Sequence, residues 1–272
     1  MLRSNVLKSM LLALVIVGFS GCSDSDDAND SQSTHQKQVT NILFAHGFLS
    51  DAETWDHYSE VTANYNSREW IIYRTNVSKT GTIAVRASQL ADYINAQNVE
   101  ENSMLVVGHS MGGLDLRYII SEGNKDQTDT NKYYTAAKKI HQFYTIATPH
   151  KGSDAAGLVP VDDGAVYDLS SEHMTEFNEE NPYSNSNIDG RAIEMLAFRF
   201  ACNKQNDHDG VVATDSQILD GAPYTKEIID GKHTTGEHRV ICEDGIIGEL
   251  DQDPIINSIL NNNTPEQIAN PL

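Results

Sequence analysis

A mostly parallel β-sheet with helices on both faces is the fold class this sequence predicts. Short apolar runs that end in glycine or turn residues alternate with segments of helical spacing. The alternation reads β-α-β-α-β-α-β across residues 39–152, the order that builds a parallel sheet. At 272 residues and 39% hydrophobic, the chain is large enough for one substantial core, and no internal repeat divides it.

The elements follow in order. VTNILFAHG (39–47) is a buried strand closed by glycine. AETWDHYSEVTANY (52–65) has helical spacing, and REWIIYRTNV (68–77) is strand-like. AVRASQLADYINAQN (84–98) sets Val85, Leu90 and Ile94 on one helical face. SMLVVGHSMGG (103–113) is a strand running into a sharp turn, and LDLRYIISEG (114–123) continues as a helix. KKIHQFYTIATPHKG (138–152) is the next strand. From about 151 to 190 the pattern fades into an insertion rich in Gly, Asp, Asn and Ser, within which DLSSEHMTEFN (168–178) suits a short helix. RAIEMLAFRFACN (191–203) resumes as strand, YTKEIIDG (224–231) is the last strand, and DPIINSILNN (253–262) is a closing helix.

Ahead of this pattern lies a processing segment. Arg3 and Lys8 precede the apolar run LLALVIVGF, which is too short to span a bilayer, and small residues lead to Cys22. This resembles a bacterial lipoprotein signal over residues 1–21, which implies a lipid on Cys22; the alternative is an ordinary secretory signal. Residues 22–38 contain no large apolar side chain and are expected to be a flexible tether to a domain at 39–272. Ser23 is not the aspartate that often marks inner-membrane retention. An exported, outer-membrane lipoprotein is therefore expected, and otherwise a secreted protein.

The formal net charge is −20, from 19 Lys and Arg against 39 Asp and Glu. Such a balance argues against nucleic acid or an anionic membrane surface as partner. Apart from Cys22 the cysteines are Cys202 and Cys242, an even pair that reads most simply as a disulfide in an exported chain.

Gly108-His109-Ser110-Met111-Gly112 is the most specific local signal. It matches G-x-S-x-G, follows an apolar strand and precedes a helix pattern. A nucleophilic serine needs that tight turn, where side chains at the flanking positions would strike neighbouring backbone. It also needs a base and an oxyanion site. FAHGF, at the end of the first strand, offers the Phe48 amide, and the Met111 amide follows the nucleophile; His46 is expected to shape the loop.

FAHGF, RASQLADYI, VVGHSMGGLDLRYI and TPHKGS, in that order, resemble the α/β-hydrolase superfamily, in particular bacterial secreted triacylglycerol lipases and esterases. The resemblance covers roughly residues 40–260. It implies an α/β-hydrolase fold whose lid- or cap-like insertion follows the sixth strand. It also implies a serine carboxylic-ester hydrolase working through an acyl-enzyme, with an ester or lipid substrate and no cofactor. A phospholipase, amidase or acyltransferase with the same triad is the enzymatic alternative; a non-catalytic surface binding protein is the alternative of another class.

The family's order of serine, acid, histidine points to Asp209, set in Asp209-Gly210-Val211-Val212, ahead of its neighbours Asp207 and Asp215. The base then falls on His238, which leads through a loop to the final helix, with His233 as the competing position. Related lipases carry a disulfide where Cys202–Cys242 would lie. Val240 stands where calcium-binding relatives carry an aspartate, so no metal is expected. Within the insertion, Leu158, Val159, Val161, Val166 and Met174 are equally readable as acyl-site lining or as ordinary core.

Overall fold

The computed structural model describes residues 40–154, 157, 164–201, 207–229, 253–261 and 264–270. The expected signal, tether and Cys22, together with His233, His238, Cys202 and Cys242, lie outside these residues.

Six parallel strands form one sheet: β1 (Asn41–Ala45), β2 (Ile71–Arg74), β3 (Met104–His109), β4 (Ile140–Ile146), β7 (Glu194–Ala201) and β8 (Tyr224–Ile229). Their order across the sheet is β2-β1-β3-β4-β7-β8. The alternation of side chains splits the core in two. Leu43, Met104 and Val106 pack on one face against Leu90 and Ala91 of α2 (Ile83–Ala96) and Leu116 and Ile119 of α3 (Met111–Lys125). Ile42, Phe44, Leu105 and Val107 pack on the other face, in a cluster with Tyr58 of α1 (Asp56–Ala63), Ile256 of α7 (Asp253–Leu260) and Ile268 of α8 (Pro265–Ala269).

The helices begin where their caps dictate. Thr82 accepts the Val85 amide at the start of α2, and Thr264 forms a reciprocal capping box with Gln267 at α8. α4 (Lys132–Lys139), capped by Asn131, has no counterpart in the sequence reading, which took Lys138 and Lys139 as strand. Its buried face consists of Tyr134, Ala136 and Ala137, too short an apolar stripe to stand out by spacing.

The insertion follows β4, the fourth strand in chain order, and is more regular than its composition suggested. It holds α5 (Gly164–Asp168), α6 (Ser171–Glu180) and a hairpin of β5 (Asn187–Ile188) with β6 (Arg191–Ala192). Tertiary anchors supply the order. Ser170 caps α6, Met174 and Phe177 are buried, and Arg117 donates Nε and Nη2 to the Asn181 carbonyl just beyond the helix.

The strand order fixes where a site can form. From β1 the chain steps to β2 on one side and then to β3 on the other. The connections leaving β1 and β3 therefore diverge, opening a crevice at the carboxyl ends of those two strands.

Candidate active site

Ser110 occupies that crevice. It joins β3 to α3 with φ 51° and ψ −127°, a strained conformation for a residue with a side chain. Its amide donates to the Ile146 carbonyl at 2.9 Å, and its carbonyl accepts from the Gly113 amide at 3.0 Å. The flanking glycines are required by space. A Cβ on Gly108 would lie 2.6 Å from the Gly113 backbone, and one on Gly112 would lie 2.4 Å from the Ala45 carbonyl oxygen. Met111 opens α3, so its amide belongs to the positive end of the helix.

The loop after β1 lies over the serine. A Cβ on Gly47 would come within 2.9 Å of Ser110 Cβ. Val77 N–H donates to His46 Nε2 at 3.2 Å, so the ring's proton sits on Nδ1, which donates to the Gly47 carbonyl at 2.9 Å. A planar trans peptide turns the Phe48 N–H away from the Gly47 carbonyl. The His46 ring, by holding that carbonyl, sets the direction of the Phe48 amide. His46 thus shapes the loop, as the sequence reading expected.

Arg86 locks the loop to α3. This buried guanidinium donates Nη2 to the His46 carbonyl (2.7 Å), Nη1 to the Ser78 carbonyl (2.5 Å) and Nε to Asp115 Oδ2 on α3 (2.9 Å). Burial pushes Asp115 up to about 6, with Arg86 pulling against it.

Burial, reinforced by the Arg86 charge, lowers the His46 pKa from 6.5 to about 4. His46 therefore stays neutral in the fold at pH values where the unfolded chain takes up a proton. Stability from this group is complete above pH 6.5 and is lost as pH falls toward 4, by about 3 kcal/mol. Asp115 acts oppositely, because its raised pKa gains stability as pH falls from about 6 toward 3.8. Urea unfolding of wild type and His46→Gln at each pH cancels the Asp115 contribution. The stability difference between the two proteins is expected to shrink by about 3 kcal/mol from pH 6.5 to 4; a constant difference would refute the linkage.

β7 is the second strand from β3, so its carboxyl end reaches the same edge as Ser110, and Asp209 lies in the turn beyond it. Asp209 is fully buried. Its Oδ1 accepts from the Val211 amide (2.9 Å) and the Val212 amide (2.7 Å), and Oδ2 accepts from Gln217 Nε2 (3.2 Å). Gly210, at φ 100°, permits the turn that brings those amides round. The competing acids differ: Asp207 is exposed, and the Asp215 side chain is 93% exposed. TPHKGS, singled out in the sequence, bolts this turn in place. Ser153 Oγ donates to the Val211 carbonyl at 2.6 Å, and Ser216 Oγ donates to the Gly152 carbonyl at 2.5 Å.

Beside the loop at 46–48 lies a third apolar cluster. Met111, Ile83 and Leu114 meet Ala165, Leu169, Met174 and Phe177 of the insertion, with Phe48 packed against them. Met174 is fully buried here and Val166 is half-buried, while Leu158, Val159 and Val161 lie outside the described residues. Among the described residues no group of three or more His, Cys, Asp or Glu side chains is arranged to hold a metal ion. The sequence reading missed Arg86, Asp115 and Gln217; a charged pair within two amphipathic helices was the visible signal for the first two.

Comparison with known proteins finds similarity to an esterase family and to lipases. Residues 35–166 match the model of a family described as "Putative serine esterase (DUF676)", a span that includes Ser110 and the loop at 46–48 but stops before Asp209. Triacylglycerol lipase 2 of Saccharomyces cerevisiae is 22% identical over 261 residues, covering 86% of this chain and 67% of that protein. The mature form of Bacillus licheniformis lipase BlEst2 superposes with a TM-score of 0.59 at 16% identity, covering 82% of this chain and 93% of its own. Lipase 1 from Pelosinus fermentans gives 0.54 at 13% identity, covering 86% and 100%. The fold is the α/β-hydrolase fold.

Proposed function

We propose that this chain is a serine carboxylic-ester hydrolase that works through an acyl-enzyme on Ser110. One observation carries the reading: a serine held at positive φ at the head of a helix, with the Gly47–Phe48 loop directly over its Cβ. In the proposed reaction Ser110 Oγ attacks an ester carbonyl while His238 takes its proton. The Phe48 and Met111 amides stabilise the oxyanion, and Asp209 stabilises the imidazolium. His238 then protonates the departing alcohol, and water attacks the acyl-serine to release the acid and free the enzyme.

The substrate is proposed to be an ester with an apolar acyl group. Leu49, Val85 and Tyr167 are 36%, 48% and 61% exposed, and they stand on three segments joined beside the oxyanion loop. The Leu49 amide donates to the Lys79 carbonyl, the Ala165 amide to the Thr80 carbonyl, and the Ile83 amide to Asp168. Apolar groups exposed together at the border of a site favour an apolar ligand. Export, lipidation on Cys22 with membrane attachment through that lipid, and a Cys202–Cys242 bridge between the acid and histidine loops complete the proposal.

A chain-length series of p-nitrophenyl esters, run beside an emulsified triglyceride, tests the reading. Hydrolysis of at least one ester, with a saturable dependence on its concentration, is expected. Inertness toward the whole series would overturn the assignment.

A further inference from the structure

Gln217 was not singled out by its sequence context, yet its side chain is 1% exposed and fully engaged. Its Oε1 accepts the Phe200 amide at 2.7 Å. Its Nε2 lies 3.0 Å from the Phe200 carbonyl, 3.2 Å from Asp209 Oδ2 and 3.2 Å from the Val212 carbonyl. Two N–H groups serve those three acceptors, so one proton is shared.

The first pair of bonds has a structural cause. β4 pairs with β7 only as far as Ile146 opposite Phe198, and the Ala147 amide takes the Phe198 carbonyl. Phe200, two residues on, turns its N–H and C=O to the same side, beyond the reach of β4. The Gln217 amide fills that place and satisfies both groups. An apolar residue there would leave two buried backbone groups without partners.

The contact with Asp209 is not required by that sheet-edge role. Asp209 Oδ1 is held by two amides of its own turn, whereas Gln217 brings to Oδ2 a donor fixed to the sheet. Among the described residues, the charged and titratable neighbours on the packed elements are His208 and Asp207 on the acid turn, Asp215 two residues before Gln217, Arg199 on β7, and buried His150 with Lys151 on the 148–153 segment. Arg199 is 3.8 Å from Asp215 and 2.9 Å from Glu227; Lys151 is 2.9 Å from Asp220.

We infer that Gln217 is a positioning residue for the catalytic acid: its Nε2–H donates to Asp209 Oδ2 and holds the carboxylate in one rotamer and in register with β7. This rests on Asp209 being the acid of the proposed reaction. Gln217→Glu keeps the shape and the acceptor for the Phe200 amide, and exchanges the Nε2 donor for a carboxyl oxygen whose charge depends on pH. At low pH the two carboxyl groups share a proton, and the O–H of the introduced carboxyl group replaces the amide donor. As pH rises the shared proton leaves and two like charges face each other.

The test is kcat/KM for a p-nitrophenyl ester across pH 6–9, with Gln217→Glu, Gln217→Met, Asp209→Asn and the Gln217→Met/Asp209→Asn double variant. The ratio of Gln217→Glu to wild type is expected to fall at least about ten-fold from pH 6 to 9. Gln217→Met is expected to lose activity by a factor that shrinks on the Asp209→Asn background, the part that remains being the cost of the orphaned Phe200 backbone groups. If Gln217→Glu does not fold, the double-variant comparison decides alone. A pH-independent ratio, or a Gln217→Met loss repeated in full on Asp209→Asn, would overturn the inference while leaving the hydrolase reading intact. Full activity in Asp209→Asn would instead remove Asp209 from the mechanism, and this inference with it.

Discussion

Ser110→Ala is expected to lower kcat/KM for every ester the protein cleaves by at least about 10⁴-fold. Without Oγ no acyl-enzyme forms, and the oxyanion amides can assist only direct attack by water, a small residue of the original rate. The fold is expected to survive. Alanine has the same Cβ as serine, so the contact with Gly47 and the backbone bonds to Ile146 and Gly113 are unchanged. The unfolding midpoint should therefore match wild type or exceed it. Retention of more than a tenth of wild-type activity would place the nucleophile elsewhere.

Arg86→Met is expected to produce the largest loss of stability, about 3–5 kcal/mol, because it leaves Asp115 buried without its counter-charge. It also orphans the carbonyls of His46 and Ser78. The folded fraction should lose activity as well, since the loop carrying the Phe48 amide is no longer tied to α3. Pairing Arg86→Met with Asp115→Leu removes both charges and should recover most of the stability, but not the anchoring of the His46 carbonyl. Urea denaturation and ester kinetics on the three variants separate these effects. A loss under about 1 kcal/mol for Arg86→Met would mean that the pair does not hold the loop.

The centre of the parallel sheet was legible because β1, β3, β4 and β7 are buried almost throughout and read as largely apolar runs. The turn at Ser110 was legible because so tight a strand-to-helix turn leaves no room for side chains at Gly108 and Gly112. α4 escaped because its buried face is mostly alanine, and the insertion looked irregular because its order comes from distant anchors such as Arg117 and the Ile83 amide that Asp168 accepts. Gln217 was hidden for a related reason. Its partner Phe200 is 17 residues away, and the need for it arises only where β4 stops short of β7. Asp209 could be ranked above Asp207 and Asp215 from its Gly-Val-Val context, and burial now separates it from both. Spacing alone could not provide that distinction.

Ser110 is proposed to be an activated nucleophile. A fluorophosphonate probe reacts with such a serine and leaves a stable phosphonyl group on Oγ, and peptide mass mapping then locates it. One adduct per chain is predicted, on the peptide containing Ser110, absent from Ser110→Ala and formed in step with the loss of ester hydrolysis. An inactivated enzyme carrying its adduct on any other residue would contradict the account.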